Sequence, residues 1–206
     1  MTIYDITPSL APGIAVFPGD TPLTREVLMD MKRGDHITLS TLRTTVHVGA
    51  HADGANHYER DGRSIDEMPL EHYLGRCQVV RVEVDPRTRL SIDDFEDEIT
   101  ERRVLFATGS WPDSTKFNED FSAFDPELVD ALAASGVITI GIDTPSVDLA
   151  DSKDLPAHAA FARNKVAILE GLDLSKVPPG DYELIALPLK LTGFDGSPVR
   201  AVLRSF

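Results

Sequence analysis

The chain has 206 residues, of which 34 are acidic and 20 basic, so its formal net charge is −14 with histidine neutral. This length suits one generous domain, and the 42% of hydrophobic residues can build a core, which excludes wholesale disorder. A chain this acidic is repelled by polyphosphates and by anionic lipid surfaces, so we expect neither nucleic acid nor membrane as a partner.

The cysteine content and the N-terminal sequence indicate the cellular compartment. The single cysteine, Cys77, cannot form an internal disulfide, which predicts a reducing environment. The first residues contain no basic stretch followed by an apolar run, so we expect no signal peptide. No window approaches the roughly 18 apolar residues of a membrane span. We therefore expect a soluble cytoplasmic protein.

Hydrophobic periodicity, β-branched residues and turn signals predict an α/β chain. In chain order we expect strands at 2–6, 24–29 and 37–46, a turn at 69–74, a strand at 77–84, a helix at 91–98, a strand at 103–108, a helix at 126–134, a strand at 137–142, a helix at 156–164, and strands at 166–169, 182–188 and 198–205. No repeat or linker divides the chain. The order of elements predicts a single domain, residues 1–206, with a mixed sheet flanked by a few helices.

The helix boundaries depend on local capping signals. Asp125 is a good N-cap, Pro126 suits the first helical position, and Gly136 follows the end of the predicted helix. Ser91 and Asp94 form a looser version of the capping box, which predicts the start of the helix at 91–98.

Three histidines and one aspartate lie within the eleven residues HVGAHADGANH, at His47, His51, Asp53 and His57. Imidazole and carboxylate are the usual ligands of zinc, manganese and iron, and no cysteine lies nearby, so the cluster predicts a catalytic metal site. The alternative is a polar loop with surface histidines. The spacing, set among small glycines and alanines, favours the metal site.

The shape of this segment follows from its spacing. In a straight strand, His47 and His51 would lie about 13 Å apart, too far to share an ion. A helix is disfavoured by Gly49 and Gly54, which follow a threonine-rich run. We therefore expect a strand that ends near Val46 and then curls, with the two glycines adopting unusual backbone angles.

Further ligands must come from other segments. His158 lies on the predicted helix LPAHAAFARN, and Glu170 ends the apolar run VAILE. An ionised glutamate at the end of a buried strand is costly unless it is paired or bound to metal. Each residue taken alone is better explained by a structural role, and they gain significance only together with the histidine cluster.

The segment HVGAHADGANHY resembles the H-x-G-x-H-x-D-x-x-x-H signature of the cyclase-like metal-dependent hydrolases. The similarity continues through VFPGDTP, GIDTPSVD and the long stretch from LPAHAAFARN to SPVRAVL, and so covers the chain from end to end. Within this family the overall pattern is similar to the bacterial kynurenine formamidases, arylformamidases of tryptophan catabolism. The resemblance implies a cyclase-like fold of the swivelling β/β/α type.

The resemblance also implies two zinc ions per subunit, with manganese or another divalent metal as the alternative. His47, His51 and Asp53 would hold one ion. Asp53, His158 and Glu170 would hold the second, so that the two carboxylates bridge the ions. His57 would be the catalytic acid/base residue rather than a permanent ligand.

The implied reaction is hydrolysis of N-formyl-L-kynurenine to L-kynurenine and formate. Two divalent ions carry +4 and two bridging carboxylates return −2, so the surplus charge lowers the pKa of a bridging water and makes hydroxide available near neutral pH. That hydroxide would attack the formyl carbon. His57 would pass the proton to the departing aryl amine.

Two aromatic residues bear on specificity. In the family the residue before Pro-Gly-Asp is typically a tryptophan that touches the substrate ring, whereas this chain has Phe17, which keeps a stacking face but loses the indole N–H. This departure leaves open another amide hydrolase, such as one acting on isatin with manganese. Trp111 either lines the pocket or belongs to the core.

The remaining alternative is a non-catalytic metal-binding protein. Such a protein is expected to lack the acid/base residue, so the presence of His57 counts against it. The resemblance further implies a homodimer in which the N-terminal part of one subunit reaches its neighbour.

Overall fold

The computed structural model describes all 206 residues, and most of its regular structure is β-strand. The strands are β1 (Ile3–Asp5), β2 (Thr24–Met29), β3 (Leu39–Arg43), β4 (His51–Asp53), β5 (Leu74–Arg81), β6 (Arg89–Leu90), β7 (Arg103–Ala107), β8 (Ala123–Phe124), β9 (Thr139–Ile142), β10 (Ala167–Glu170), β11 (Gly180–Ile185), β12 (Gly196–Pro198) and β13 (Val202–Arg204). The helices are α1 (Pro126–Ala134) and α2 (Pro156–Asn164). Single 3₁₀ turns lie at Met31–Arg33, Ala55–His57, Ile65–Glu67, Leu70–His72 and Ile92–Asp94.

Nine of the strands form one mixed sheet, in the order β1-β13-β11-β5-β7-β9-β10-β4-β12. The four central strands, β5, β7, β9 and β10, are parallel, and the outer strands pair antiparallel. The central strands β7, β9 and β10 are buried along their whole length, as expected for parallel strands covered on both faces. The single-domain α/β fold with a mixed sheet and two helices is therefore confirmed.

The sheet curls almost into a closed barrel. Strands β12 and β13 lie near opposite ends of the strand order, yet only residues 199–201 connect them. Within this connection, the Val199 amide donates to the Ala50 carbonyl near β4, and the Ala201 carbonyl accepts from the Ile6 amide beside β1. The prediction of one strand at 198–205 is therefore only partly right: β12 ends at Pro198, residues 199–201 cross from one side of the barrel to the other, and only Val202–Arg204 form β13.

Alternating residues of the central strands supply two hydrophobic clusters. In β7, Leu105 faces the interior of the curl, whereas Phe106 packs beneath the helices. Leu128 and Leu132 of α1 and Phe161 of α2 complete the second cluster. Both helices therefore cover the same face of the sheet. No helix is long and apolar enough to cross a lipid bilayer.

The helix predicted at 91–98 is wrong. Ser91 and Asp94 do form the capping box, but they close only the 3₁₀ turn Ile92–Asp94, and Phe95 is already extended. Five of the six residues from 93 to 98 are acidic, and like charges one turn apart disfavour a helix. So short a helix also cannot offset its nucleation cost without an apolar face. Both other predicted helices are confirmed at their exact residues.

Candidate metal centre and its cavity

The histidine-rich segment contains a strand that the sequence did not predict. Strand β3 ends at Arg43, and the chain then turns before β4 (His51–Asp53) enters the large sheet between β10 and β12. His51 and Asp53 are two residues apart on this strand, so their side chains share one face. His51 lies directly opposite Glu170 of β10 in the antiparallel register. The pairing of β4 with β10 brings Glu170 to the cluster.

The expected curl is present, but only one glycine produces it. Gly49 has φ +57°, in the left-handed region that favours glycine, and the rings of His47 and His51 come within 5.1 Å of each other between centroids. The expectation for Gly54 is wrong, since its φ is an ordinary −79°. Gly54 is needed for space instead, because a Cβ there would lie 2.8 Å from the backbone nitrogen of Ile65.

The tautomer of His51 is fixed by the backbone. Its Nδ1 lies 2.9 Å from the Gly49 carbonyl oxygen, which can only accept, so Nδ1 carries the proton and donates it. The other ring nitrogen, Nε2, lies 3.0 Å from Oε2 of Glu170 but makes no hydrogen bond with it. Both side chains are about 95% buried. A bound cation would satisfy this nitrogen and the carboxylate together.

His158 is held in the same way from another direction. It lies on α2, and its Nδ1 donates to Asp148 at 2.8 Å, which leaves Nε2 free to face the cluster. Nε2 lies 3.8 Å from Asp53 Oδ2 and 3.9 Å from Glu170 Oε1. Asp148 also accepts from the amide of His158 and is fully buried. Burial would raise the pKa of Asp148, but these hydrogen bonds outweigh it and lower the pKa.

His47 lies between two carboxylates. Its Nδ1 is 3.1 Å from Asp53 Oδ1, and its Nε2 is 3.0 Å from Asp195 Oδ2. Burial would lower the pKa of His47, but the hydrogen bonds to Asp53 and Asp195 outweigh it and raise the pKa to about 9. Gly196 makes room for this ring, because a Cβ there would lie 2.8 Å from His47 Cε1.

His57 lies at the mouth of the cluster. It ends the 3₁₀ turn Ala55–His57, and its side chain is 36% exposed, whereas that of His51 is only 3% exposed. Its ring packs against that of His47, tilted by 37° with 4.2 Å between centroids, and its Nδ1 lies 3.6 Å from Asp195 Oδ2. His57 is therefore the histidine of this segment with the freest access to solvent.

The donor set fits divalent metal. Three triads have ligand atoms within 4.8 Å of one another: His47, His51 and Asp53; Asp53, His57 and His158; and His47, His57 and Asp195. Two buried atoms, Nε2 of His51 and Oδ2 of Asp53, have no hydrogen-bond partner. Unpartnered buried acceptors of this kind are costly unless they coordinate a cation. Imidazole and carboxylate together suit zinc or manganese.

A cavity of about 690 Å³ opens above the cluster. His47, His51, His57, His158 and Glu170 line its metal-binding end. Three aromatic side chains, Phe17, Trp111 and Phe117, form part of its wall, with Phe117 edge-on to both of the others at 5.1–5.2 Å between centroids. Trp111 also packs edge-on against buried Phe121. Both interpretations of Trp111 are thus realised, because it links the core to the cavity wall.

The structure brings together every predicted site residue, and Phe17 lies in the wall of the same cavity. Sequence reasoning missed Asp148 and Asp195, which fix His158 and His47. Both lie in segments that carried the family resemblance, GIDTPSVD and LTGFDGSP. The available signal was an aspartate at a turn in each segment, but pairing it with a given histidine requires the three-dimensional structure.

Comparison with known proteins gives a consistent result. Residues 4–149 match the model of the Cyclase family. Among solved structures, the chain is similar to a potential metal-dependent hydrolase with cyclase activity (27% identity, 98% of this chain and 96% of the other, TM-score 0.83). It is similar to a predicted metal-dependent hydrolase from Bacillus stearothermophilus (26%, 98% and 97%, TM-score 0.79). It shares its fold with isatin hydrolase A from Labrenzia aggregata (23%, 98% and 93%, TM-score 0.82).

Proposed function

This chain belongs to the Cyclase family of metal-dependent hydrolases, and we propose that it hydrolyses the formamide of N-formyl-L-kynurenine to L-kynurenine and formate. One observation supports a metal-dependent hydrolase most directly: the buried Nε2 of His51 has no hydrogen-bond partner and lies 3.0 Å from Glu170, at the end of an aromatic-walled cavity. The choice of a formamide rests on the sequence resemblance to the kynurenine formamidases.

Two zinc ions are proposed, one held by His47, His51 and Asp53 and the other by Asp53, His158 and Glu170. Both carboxylates lie close to histidines of both proposed ligand sets. Asp53 directs Oδ1 towards His47 and Oδ2 towards His158, and Glu170 directs Oε2 towards His51 and Oε1 towards His158. Bound divalent metal would supply Lewis acidity and an activated water near neutral pH.

The side chains of the cluster then have distinct roles. Asp148 and the Gly49 carbonyl accept from Nδ1 of His158 and His51 and so orient both rings with Nε2 towards the cluster, where it would bind metal. His57, the most accessible histidine of the motif, accepts a proton from the attacking water and donates it to the departing aryl amine nitrogen. Proton transfer by His57 makes the amine a neutral leaving group.

The aromatic wall supports an aryl substrate. Phe17 is 40% exposed in the cavity and is held edge-on by Phe117. Its free face can stack on the substrate ring. With Trp111 on the same wall, the cavity accommodates an aromatic amide whose reacting carbonyl points towards the histidines.

The second candidate is opening of the cyclic amide of isatin, with manganese as the metal. It is favoured by the shared fold with isatin hydrolase A and by phenylalanine at position 17. Initial rates on N-formyl-L-kynurenine and isatin, measured with the same metal-loaded protein, test the choice. We expect kcat/KM to favour the formamide at least tenfold, and a preference for isatin would replace the first candidate by the second.

We also propose a homodimer formed through the hairpin of β2 and β3. These strands pair only with each other, every residue of β3 is exposed, and two-stranded hairpins are marginal alone. Large apolar side chains on it, Leu28, Leu39 and Leu42, are 46–64% exposed. Contact with a second subunit would cover this apolar surface.

A further inference from the structure

A single guanidinium lies in the wall of the cavity. Arg81 is the only lysine or arginine among the lining residues, whereas Asp20, Asp143, Asp173 and Glu170 are acidic. The proposed roles of the metal ligands, His57 and the aromatic wall leave Arg81 unused. In a chain of net charge −14, one cation in an otherwise acidic cavity is a feature that needs an explanation.

Arg81 is anchored but only partly satisfied. It is the last residue of β5, and its Nη2 donates to the carbonyl oxygens of Leu174, at 3.4 Å, and Val177, at 3.1 Å. The chain offers no acceptor to Nε or Nη1, so both of these nitrogens have N–H groups that are free to donate. Each can form a charge-assisted hydrogen bond with a carboxylate oxygen.

We propose that Arg81 binds the carboxylate of an anionic aryl substrate, which is the α-carboxylate if the substrate is N-formyl-L-kynurenine, an identification that rests on the proposed function. Leu174 lies four residues after Glu170, so at most about 14 Å of chain separates the metal-binding end from the anchor of Arg81. The formyl carbon and the carboxylate carbon of the substrate are separated by seven covalent bonds, so both ends of the extended substrate fit within that span. Isatin is neutral and offers Arg81 no such partner.

The test compares two ligands that differ only in the carboxylate, L-kynurenine and kynuramine. Trp111 is the sole tryptophan and lines the cavity, so its fluorescence reports binding to zinc-loaded protein directly. We expect the protein to bind L-kynurenine at least tenfold more tightly than kynuramine. Arg81→Met should weaken L-kynurenine binding about 10–100-fold, the range for a lost charged hydrogen bond, and leave kynuramine binding within twofold. Arg81→Lys should fall between the two.

Kynuramine also serves as the control for the fold of the cavity. If Arg81→Met weakens both ligands equally, the residue only supports residues 172–177 and the proposal is overturned. It is equally overturned if the unmodified protein does not prefer L-kynurenine or if Arg81→Met keeps that preference. The formamidase activity is assayed separately. If the protein does not hydrolyse N-formyl-L-kynurenine but still binds L-kynurenine with an Arg81-dependent preference, the proposed activity is wrong and the carboxylate site is retained.

Discussion

At the scale of single residues, the metal-binding histidines could be found from the sequence because they lie close together in it. Within HVGAHADGANH the residue types alone indicate metal chemistry. Asp148 and Asp195 could not be assigned in this way, because each contacts its histidine only after the chain has folded, and Asp195 is 148 residues from His47. The metal ligands could therefore be predicted because they lie close together in the sequence. The aspartates that orient them could not be predicted, because they come from distant segments.

The division of roles between His57 and its neighbours gives a first prediction. His57→Ala should retain metal and lose most turnover, because His57 lies at the exposed mouth of the cluster and moves protons. His51→Ala and Asp53→Ala should lose metal as well as activity. Metal content by mass spectrometry and initial rates separate these effects. Equal metal loss in all three variants would contradict the acid/base role.

Asp148 gives a second prediction. Asp148→Asn removes the carboxylate that accepts from His158 Nδ1, so the imidazole is less well fixed and less basic. We expect metal affinity to fall about 10–100-fold, measured by competition with a chelator. Asp151→Asn is the matched control, because Asp151 pairs with Arg87 on the surface as Asp148 pairs with Arg89. Unchanged affinity in Asp148→Asn would show that Asp148 serves the fold alone.

At the scale of elements, the sequence predicts the strands of the sheet better than the site's own strand. Buried strands such as β7 and β9 can be predicted from the sequence because they lie in largely apolar runs. In contrast, β4 has only three residues, His51–Asp53, and none is β-branched or aromatic apart from the histidine ring. Its extended conformation is imposed by pairing with β10 and β12, which local propensity cannot show.

The turn at Gly49 and the turn at Gly171 lie in contact, and this contact positions β4 against β10. Gly171 follows Glu170 with φ +63°, and a Cβ there would lie 2.1 Å from the Gly49 carbonyl oxygen. We expect Gly171→Ala to reduce the free energy of unfolding by roughly 2–4 kcal/mol and to lower metal content, because the two strands must separate. Denaturant unfolding of the metal-free protein measures the stability change.

Gly136→Ala is the control for backbone strain. Gly136 also has positive φ, +98°, but no atom lies within 4 Å of the added Cβ. We expect a loss of about 1 kcal/mol and unchanged metal content. If the two variants behave alike, contact between the turns is not what holds β4 in place.

At the scale of the whole molecule, the curled sheet explains how distant segments form one site. Because residues 199–201 join opposite sides of the barrel, β12 returns to β4 and brings Asp195 to His47. The −14 charge also has a partial explanation, since buried Asp53 and Glu170 are compensated when divalent metal is bound. The composition shows the excess of acidic residues, but it does not show which of them lie at the metal site.

The proposed dimer gives a prediction at this scale. Leu42→Asp places a charge on the exposed hairpin, and we expect it to weaken dimerisation at least tenfold because burying an unpaired carboxylate is costly. Leu70→Asp is the control, because Leu70 is exposed to the same degree, 61% against 64%, in a 3₁₀ turn outside the hairpin. Sedimentation over a range of concentrations measures the effect. A monomeric parent protein, or equal dissociation in both variants, would contradict the hairpin interface.

The central claim is that this metal centre hydrolyses an aryl formamide. Its most direct test is a progress curve on N-formyl-L-kynurenine with metal-loaded protein, repeated after chelation and after zinc is added back. We expect formate and L-kynurenine to appear in equal amounts, the reaction to stop with the chelator, and zinc to restore it. No hydrolysis by fully metal-loaded protein, or hydrolysis that the chelator leaves unchanged, would contradict the account.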